Sequence, residues 1–315
     1  MNIARRFLAC LLALVVWMPV YAQDTFVFSP QWTAQAQFAG YYAALERGYY
    51  HEEGLDVQIV HPYVAQPPEN SILSGRCDAT TLQLMQAMEV IDKGTPLVNI
   101  LQTSMNSATV IVSRRGRNPL EQHGARVGTW KAGFSQIAFC VDHILHLDYV
   151  WVPVAANVNL FVAGAVDATL AMSYNELNLL RQAGADFRET NIYRFSEHGY
   201  NIQEDGVYMT LSAYRKDRSR AERFARASRR GWEWVADHPR EALDLVMEYV
   251  DRFHVATNRV IQQLMLEEIL NLQRDAVSGQ QEFRLRPDMV SQASDLMLRA
   301  GLVSKPVTYQ DLIAR

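Results

Sequence analysis

A chain of 315 residues with 49% hydrophobic and 20% charged residues is long enough to bury one large core or two lobes. Its composition excludes both a disordered chain and a series of membrane spans. The formal charge is −4; the first 22 residues take Arg5 and Arg6 with them, leaving 28 basic against 34 acidic residues, or −6. Such a surface lacks the concentrated basic field that nucleic-acid binding requires.

The N-terminus predicts an export signal over residues 1–22, which places the mature protein in the periplasm. Arg5 and Arg6 form a positive start, Phe7 to Val20 an apolar run of about 14 residues, and Val20-Tyr21-Ala22 a small residue before Gln23. The run is short of the roughly 20 residues a membrane helix needs, and Pro19 suits a cleavage region better than a continuing helix. Cys10 sits inside the run, which continues well past it, so lipidation there is not expected. Cys77 and Cys140 are expected as two separate buried thiols rather than one bridge.

From Asp24 to about Trp151, β-like runs alternate with helical periodicity. The strand candidates are Phe26–Phe28, Val57–Val60, Val98–Leu101, Val110–Val112 and Ala125–Val127, with helices over Phe38–Tyr50 and Leu82–Lys93. Gly48 and Gly94 stand where left-handed helix caps belong. A second series follows, with strands at Val150–Val152 and Ala168–Met172 and helices over Phe134–His146 and Tyr174–Ala183. After Leu211 the chain reads as helical. Ser219 to Glu222 looks like a capping box, further helices start near Pro239, Thr257 and Pro287, and Gly301 closes the last. This alternation predicts an α/β protein with mainly parallel sheets. Residues 24–113 are expected to begin lobe one, 114–207 to form lobe two, and 208–315 to return to lobe one as a mostly helical segment. Doubly wound sheets bind ligands beyond the carboxyl ends of their strands, so the site is expected between the lobes.

Several segments carry a resemblance. Gln31 to Val57 reads QWTAQAQFAGYYAALERGYYHEEGLDV. Gly75-Arg76-Cys77-Asp78-Ala79 and Gly164-Ala165-Val166-Asp167-Ala168 repeat a Gly-x-x-Asp-Ala step, and Ala171 to Glu176 and Glu204 to Tyr208 belong to the same pattern. Together with Gly231-Trp232 and His238 to Ala242, these segments resemble a family of periplasmic solute-binding proteins. It includes thiamine pyrimidine-precursor binders, sulfonate- and taurine-like binders and fungal pyrimidine-precursor synthases. The resemblance implies the type II periplasmic binding protein fold, two α/β lobes with a ligand cleft between them. It also implies capture of a small heterocycle, such as a thiamine pyrimidine precursor, for an ABC importer.

In this family a planar ring is held between aromatic side chains and polar groups at its edge. Trp32, just past the first strand, is the expected stacking wall, competing with a purely packing role. Gln35 and Gln37 follow with donors and acceptors, while Tyr41 and Tyr42 divide between core and cleft. Thr80, Thr81 and Gln83 lie where a strand would meet a helix N-terminus, where ligand contact competes with capping. In the second lobe the candidates are Phe134 and Ser135 after Lys131-Ala132-Gly133, then Tyr174 opposite Trp32, and Glu176 as acceptor for an exocyclic amine or a cation. Asp205, near the return crossing, is a ligand contact or a hinge cap. One departure stands out. Where relatives carry an Asn-rich loop ending in His, this chain has Ala34-Gln35-Ala36-Gln37-Phe38, which puts the pyrimidine ligand in question.

Two other functions compete. A synthase would need clustered cysteines and metal ligands; His143 and His146 sit among aliphatic residues, and no nucleophile–base pattern stands out, so neither enzyme activity, cofactor nor metal is expected. A sensor would bind ligand identically but signal to a membrane histidine kinase or cyclase rather than a permease; Tyr214 to Arg230 offers a basic face for docking, though such a run usually marks a solvated helix. A monomer is expected.

Overall fold

The computed structural model describes residues 24–62, 66–131, 133–155 and 157–313; the expected export signal and Cys10 lie outside them. In chain order the strands are β1 Asp24–Ser29, β2 Leu55–Ile59, β3 Ala79–Gln83, β4 Leu97–Gln102, β5 Thr109–Ser113, β6 Arg126–Trp130, β7 Val150–Val154, β8 Ala168–Met172, β9 Ile192–Arg194 and β10 Asp205–Thr210. They form two five-stranded sheets, β2-β1-β3-β10-β4 and β7-β6-β8-β5-β9. The chain passes from one to the other between β4 and β5 and comes back between β9 and β10.

The α/β class agrees with the sequence, but the sheets are mixed rather than mainly parallel. β10 runs antiparallel to both β3 and β4, and β5 antiparallel to both β8 and β9. Each of these strands adjoins a crossing, so it enters its sheet from the other lobe's side rather than through a local βαβ turn. The crossings also move the expected lobe boundaries. β5 belongs to the second sheet, so the division at 113/114 comes one strand late, and the division at 207/208 cuts through β10.

Three local expectations shift as well. Leu82 and Gln83 complete β3, whose five residues are all buried, and the helix that follows spans Leu84–Asp92. β-branched Thr80 and Thr81 favour the strand. The helix Arg218–Asp237 is capped by Asp217, whose side chain accepts from the Arg220 N–H, not by the Ser219 box. Its basic face is largely ion-paired: Arg220 to Asp78, Arg226 to Glu53 and Arg230 to Glu52 tie it to the first sheet and its neighbouring helix. Cys77 and Cys140 are free and buried, and burial pushes both thiols up to about 12.

Aromatic packing joins this helix to the first sheet. Phe26 and Phe28 alternate onto one face of β1; Phe26 stacks on Phe224 at 4.3 Å, and Phe28 meets Tyr41 at 4.6 Å. The helix Ala39–Glu46 lies so close that two glycines are obligatory. A Cβ at Gly231 would come 2.0 Å from the Gly40 carbonyl oxygen, and one at Gly40 would enter the Trp232 indole at 2.2 Å. Overpacking a dense core costs roughly 1–3 kcal/mol and sometimes more. Gly231→Ala should therefore lower unfolding free energy in urea by at least about 2 kcal/mol, whereas Gly231→Ala with no loss would show that the helices are not held this close.

Candidate ligand cleft

β1 ends at Ser29-Pro30, where proline cannot donate to the ladder, and the chain leaves over the sheet's edge as a loop. Backbone and side-chain bonds pin it. The Gln31 N–H donates to Thr81 Oγ1 (2.7 Å), the Ala36 N–H to Gln262 Oε1 (2.7 Å), and the Trp32 carbonyl accepts from His61 Nδ1 (2.6 Å). With Nδ1 carrying the proton, His61 Nε2 accepts from the Tyr42 hydroxyl at 2.9 Å. Burial draws this imidazole from 6.5 down to about 4, so it holds Trp32 as a neutral group.

The second lobe supplies the opposite wall from two strand ends. β6 ends on Trp130; after Gly133, at φ 87°, Phe134 turns its ring edge-on to Trp32, with centroids 5.7 Å apart and planes at 77°. β8 ends on Met172, and the turn through Tyr174 and Asn175 starts the helix Glu176–Gln182. Glu176 is buried here. It accepts from Trp130 Nε1 (3.2 Å), Asn175 Nδ2 (3.2 Å) and the Met172 N–H (3.0 Å).

Of the residues expected at the site, Trp32, Gln35 and Gln37 line one side of this cleft, and Phe134, Tyr174 and Glu176 the other. The ring set against Trp32 is Phe134, not Tyr174. Asp205 lies deeper, in a smaller chamber that shares Gln37 and Tyr174 with the cleft. A relay joins the two spaces: Gln35 Nε2 donates to Gln37 Oε1 (2.6 Å), Gln37 Nε2 to Asp205 Oδ2 (2.6 Å), and Gln31 Nε2 to Asp205 Oδ1 (2.9 Å).

Six expected residues are not in the lining; Tyr42, one of them, donates to His61 behind the loop. Tyr41 packs between Phe28 and Trp232 under the loop. Thr81 belongs to β3 and serves the loop from behind, while the Thr80 hydroxyl donates to the Ser29 carbonyl at 2.7 Å, so neither caps a helix. Gln83 is the buried last residue of β3. Ser135 is fully buried with its hydroxyl 2.6 Å from that of Thr129. Among its described residues the expected turn thus reaches the cleft through Phe134 alone. Trp130 and Asn175, not singled out from the sequence, both line the cleft. Trp130 stood one residue before the turn that drew attention, at the tip of a strand, which was the available signal.

The hinge is built on a third carboxylate. Glu204, in the return crossing, accepts from the Ser107 hydroxyl (2.6 Å), the Thr109 hydroxyl (2.7 Å) and the backbone N–H groups of Ala108 (2.9 Å) and Thr109 (3.2 Å), all of the outward crossing. Beside the crossings, where the Ser173 N–H donates to the Ala108 carbonyl (2.8 Å), the Ser173 hydroxyl donates to Glu268 Oε1 of the helix Arg259–Leu272 at 2.7 Å, a bond between the two lobes. Burial raises Glu176, Glu204 and Asp205 above the usual carboxylate range. No lysine or arginine is among the described residues lining the cleft or the deeper chamber.

The fold and cleft are those of a periplasmic binding protein. The family model described as NMT1/THI5 like matches residues 35–242, and the chain belongs to that family. Over 246 residues it is 26% identical to the formylaminopyrimidine-binding protein of Halalkalibacterium halodurans, covering 73% of this chain and 72% of that one. Among solved structures it resembles the ligand-binding component of an ABC-type import system from Staphylococcus aureus (TM-score 0.69, 10% identity, 93% of this chain and 97% of that one). It also resembles the periplasmic aliphatic sulphonate-binding protein of Escherichia coli (TM-score 0.65, 12% identity, 93% and 92%).

Two outcomes follow from this geometry. Glu204→Ala strands four donors at the crossings, and buried donors left unpaired cost about 1–3 kcal/mol each before relaxation; denaturant unfolding should show a loss of at least about 3 kcal/mol, and a loss below 1 would contradict the hinge role. His61, with its pKa depressed on folding, adds stability that is complete above pH 6.5 and lost as pH falls toward about 4. The melting-temperature gap between wild type and His61→Gln should therefore shrink across that window; a gap independent of pH would contradict the neutral imidazole.

Proposed function

We propose that this protein captures an amino-substituted pyrimidine between its lobes and presents it to a membrane importer, without chemistry of its own. The acidic lining carries the reading. Glu176 and Asp205 line spaces whose other walls are aromatic, amide, hydroxyl and aliphatic, with no lysine or arginine in the described lining. A buried carboxylate surrounded only by dipoles is raised in pKa because its charge is under-compensated. A ligand presenting N–H groups, or protonated on its ring, supplies the missing partner. An anion meets the opposite: sulfonate or nitrate would enter beside Glu176 with no cation to receive it.

The aromatic residues select shape. Trp32 and Phe134 touch edge to face across the cleft, so an incoming planar ring must part them and take up the faces they give up. This couples occupancy to lobe movement, because Trp32 belongs to the first lobe and Phe134 to the second, and a ligand favours whichever arrangement it contacts better. The Gln35–Gln37 pair offers ring-edge donors and acceptors of its own. The name of the Halalkalibacterium relative supports the same ligand class.

Thermal-shift and calorimetric titration of the protein lacking residues 1–22 test this directly. A 4-aminopyrimidine should raise the melting temperature, while taurine, alkanesulfonates and nitrate should not. Trp32→Ala should weaken binding by at least about tenfold, and Glu176→Gln by about 10- to 100-fold, the range for a hydrogen bond to a charged group. A shift with sulfonate and none with aminopyrimidine would overturn the reading.

A further inference from the structure

The lobes also meet along a second seam, made of helices. The helix Gln136–Leu145 of the second lobe packs against two helices of the first, Leu84–Asp92 and Pro287–Arg299, and all three belong to one continuous core. Met85 and Met88, Ala138 and Val141, and Ala293 and Met297 are buried in it. One end of the seam is polar instead. Gln86 stands in the first turn of its helix and Gln136 opens the other, two residues after Phe134; they are 2% and 4% exposed. The Gly133 turn lies against both. A Cβ at Gly133 would come 3.8 Å from Gln86 Nε2, and the Gly133 carbonyl accepts from Gln136 Nε2 at 2.9 Å.

Both amides are oriented by what their NH2 groups meet. Gln86 Nε2 donates to Glu69 Oε2 at 3.1 Å, and Gln136 Nε2 to the Gly133 carbonyl, which can only accept. Their carbonyl oxygens point elsewhere, and neither Gln86 Oε1 nor Gln136 Oε1 has a partner. A buried acceptor without a donor has lost its water and gained nothing in exchange. We infer that Gln86 and Gln136 set the balance between open and closed lobes. Parting the lobes withdraws the Gly133 turn from Gln86 and lets water reach both oxygens; closing strips that water away. The two amides therefore hold the empty protein toward the open arrangement, against the apolar packing along the rest of the seam. A ligand that prefers the closed form has to overcome them, and its affinity falls with the fraction of empty molecules that are closed. This goes beyond the aminopyrimidine reading, because the balance exists whichever ligand binds.

Small-angle X-ray scattering of the empty protein tests it, on wild type, Gln86→Met and Gln136→Met, with calorimetric titration of 4-aminopyrimidine on the same samples. Methionine keeps the length of the side chain and removes the unpaired oxygen. The bond that each substitution also removes lies within one lobe, so it does not distinguish open from closed. Each variant should unfold cooperatively, show a smaller radius of gyration than empty wild type, and bind 4-aminopyrimidine at least about fivefold more tightly. An unchanged radius in one folded variant would contradict that residue's role. Unchanged radii in both would mean that the oxygens keep water when the lobes are closed, and would overturn the inference. If 4-aminopyrimidine binds none of the three proteins, the aminopyrimidine reading falls, while the scattering of the empty proteins still decides the role of the amides.

Discussion

The two lobes are held in relation by a carboxylate that has no cation. Glu204 gathers two hydroxyls and two backbone N–H groups of the outward crossing from its place on the return crossing. The next residue, Asp205, continues this role with its main chain: its carbonyl accepts from the N–H groups of Thr103 and Ser104 and from Gln102 Nε2. Burying charge is costly unless hydrogen bonds replace the water that is lost. Here the donors are mostly backbone and short hydroxyl groups, which position the crossings without long side chains. Because the crossings are laced so closely, relative motion of the lobes has to be taken up around a fixed axis, and the cleft walls meet in one register.

That register explains why the cleft is narrow and sided. The first lobe contributes a loop that is pinned from below by Thr81, from the side by neutral His61 and from above by Gln262. The second contributes strand tips, Trp130 and Met172, whose positions the sheet fixes. The rings of Trp32 and Phe134 therefore meet edge to face across the cleft, and the Glu176 carboxylate lies beside them. Ser173 and Glu268 add a bond between the lobes beside the crossings.

The alternation of short strands with amphipathic segments was legible because burial on one face imposes a period, and most strands fall where the sequence placed them. The pairing directions were not legible. β5 and β10 read like any other apolar run, and only the crossings, which set chain direction through long-range contacts, make them antiparallel. At the site, Trp32, Gln35, Gln37, Phe134, Tyr174 and Glu176 were readable because they follow strand ends, where side chains reach the gap between lobes. Thr81, Gln83 and Ser135 also lie near strand ends, but residues on either side of such an end point in opposite directions, and one step of phase sends them inward. The Glu204 bonds join residues almost a hundred positions apart, a separation about which local pattern carries no information.

The most direct measurement is a crystal structure of the protein with a 4-aminopyrimidine. The ring should lie between Trp32 and an aromatic side chain of the second lobe, with its exocyclic amine within hydrogen-bond distance of Glu176. A ring bound outside the cleft, or an amine facing away from every buried carboxylate, would contradict an acidic cleft built to receive it.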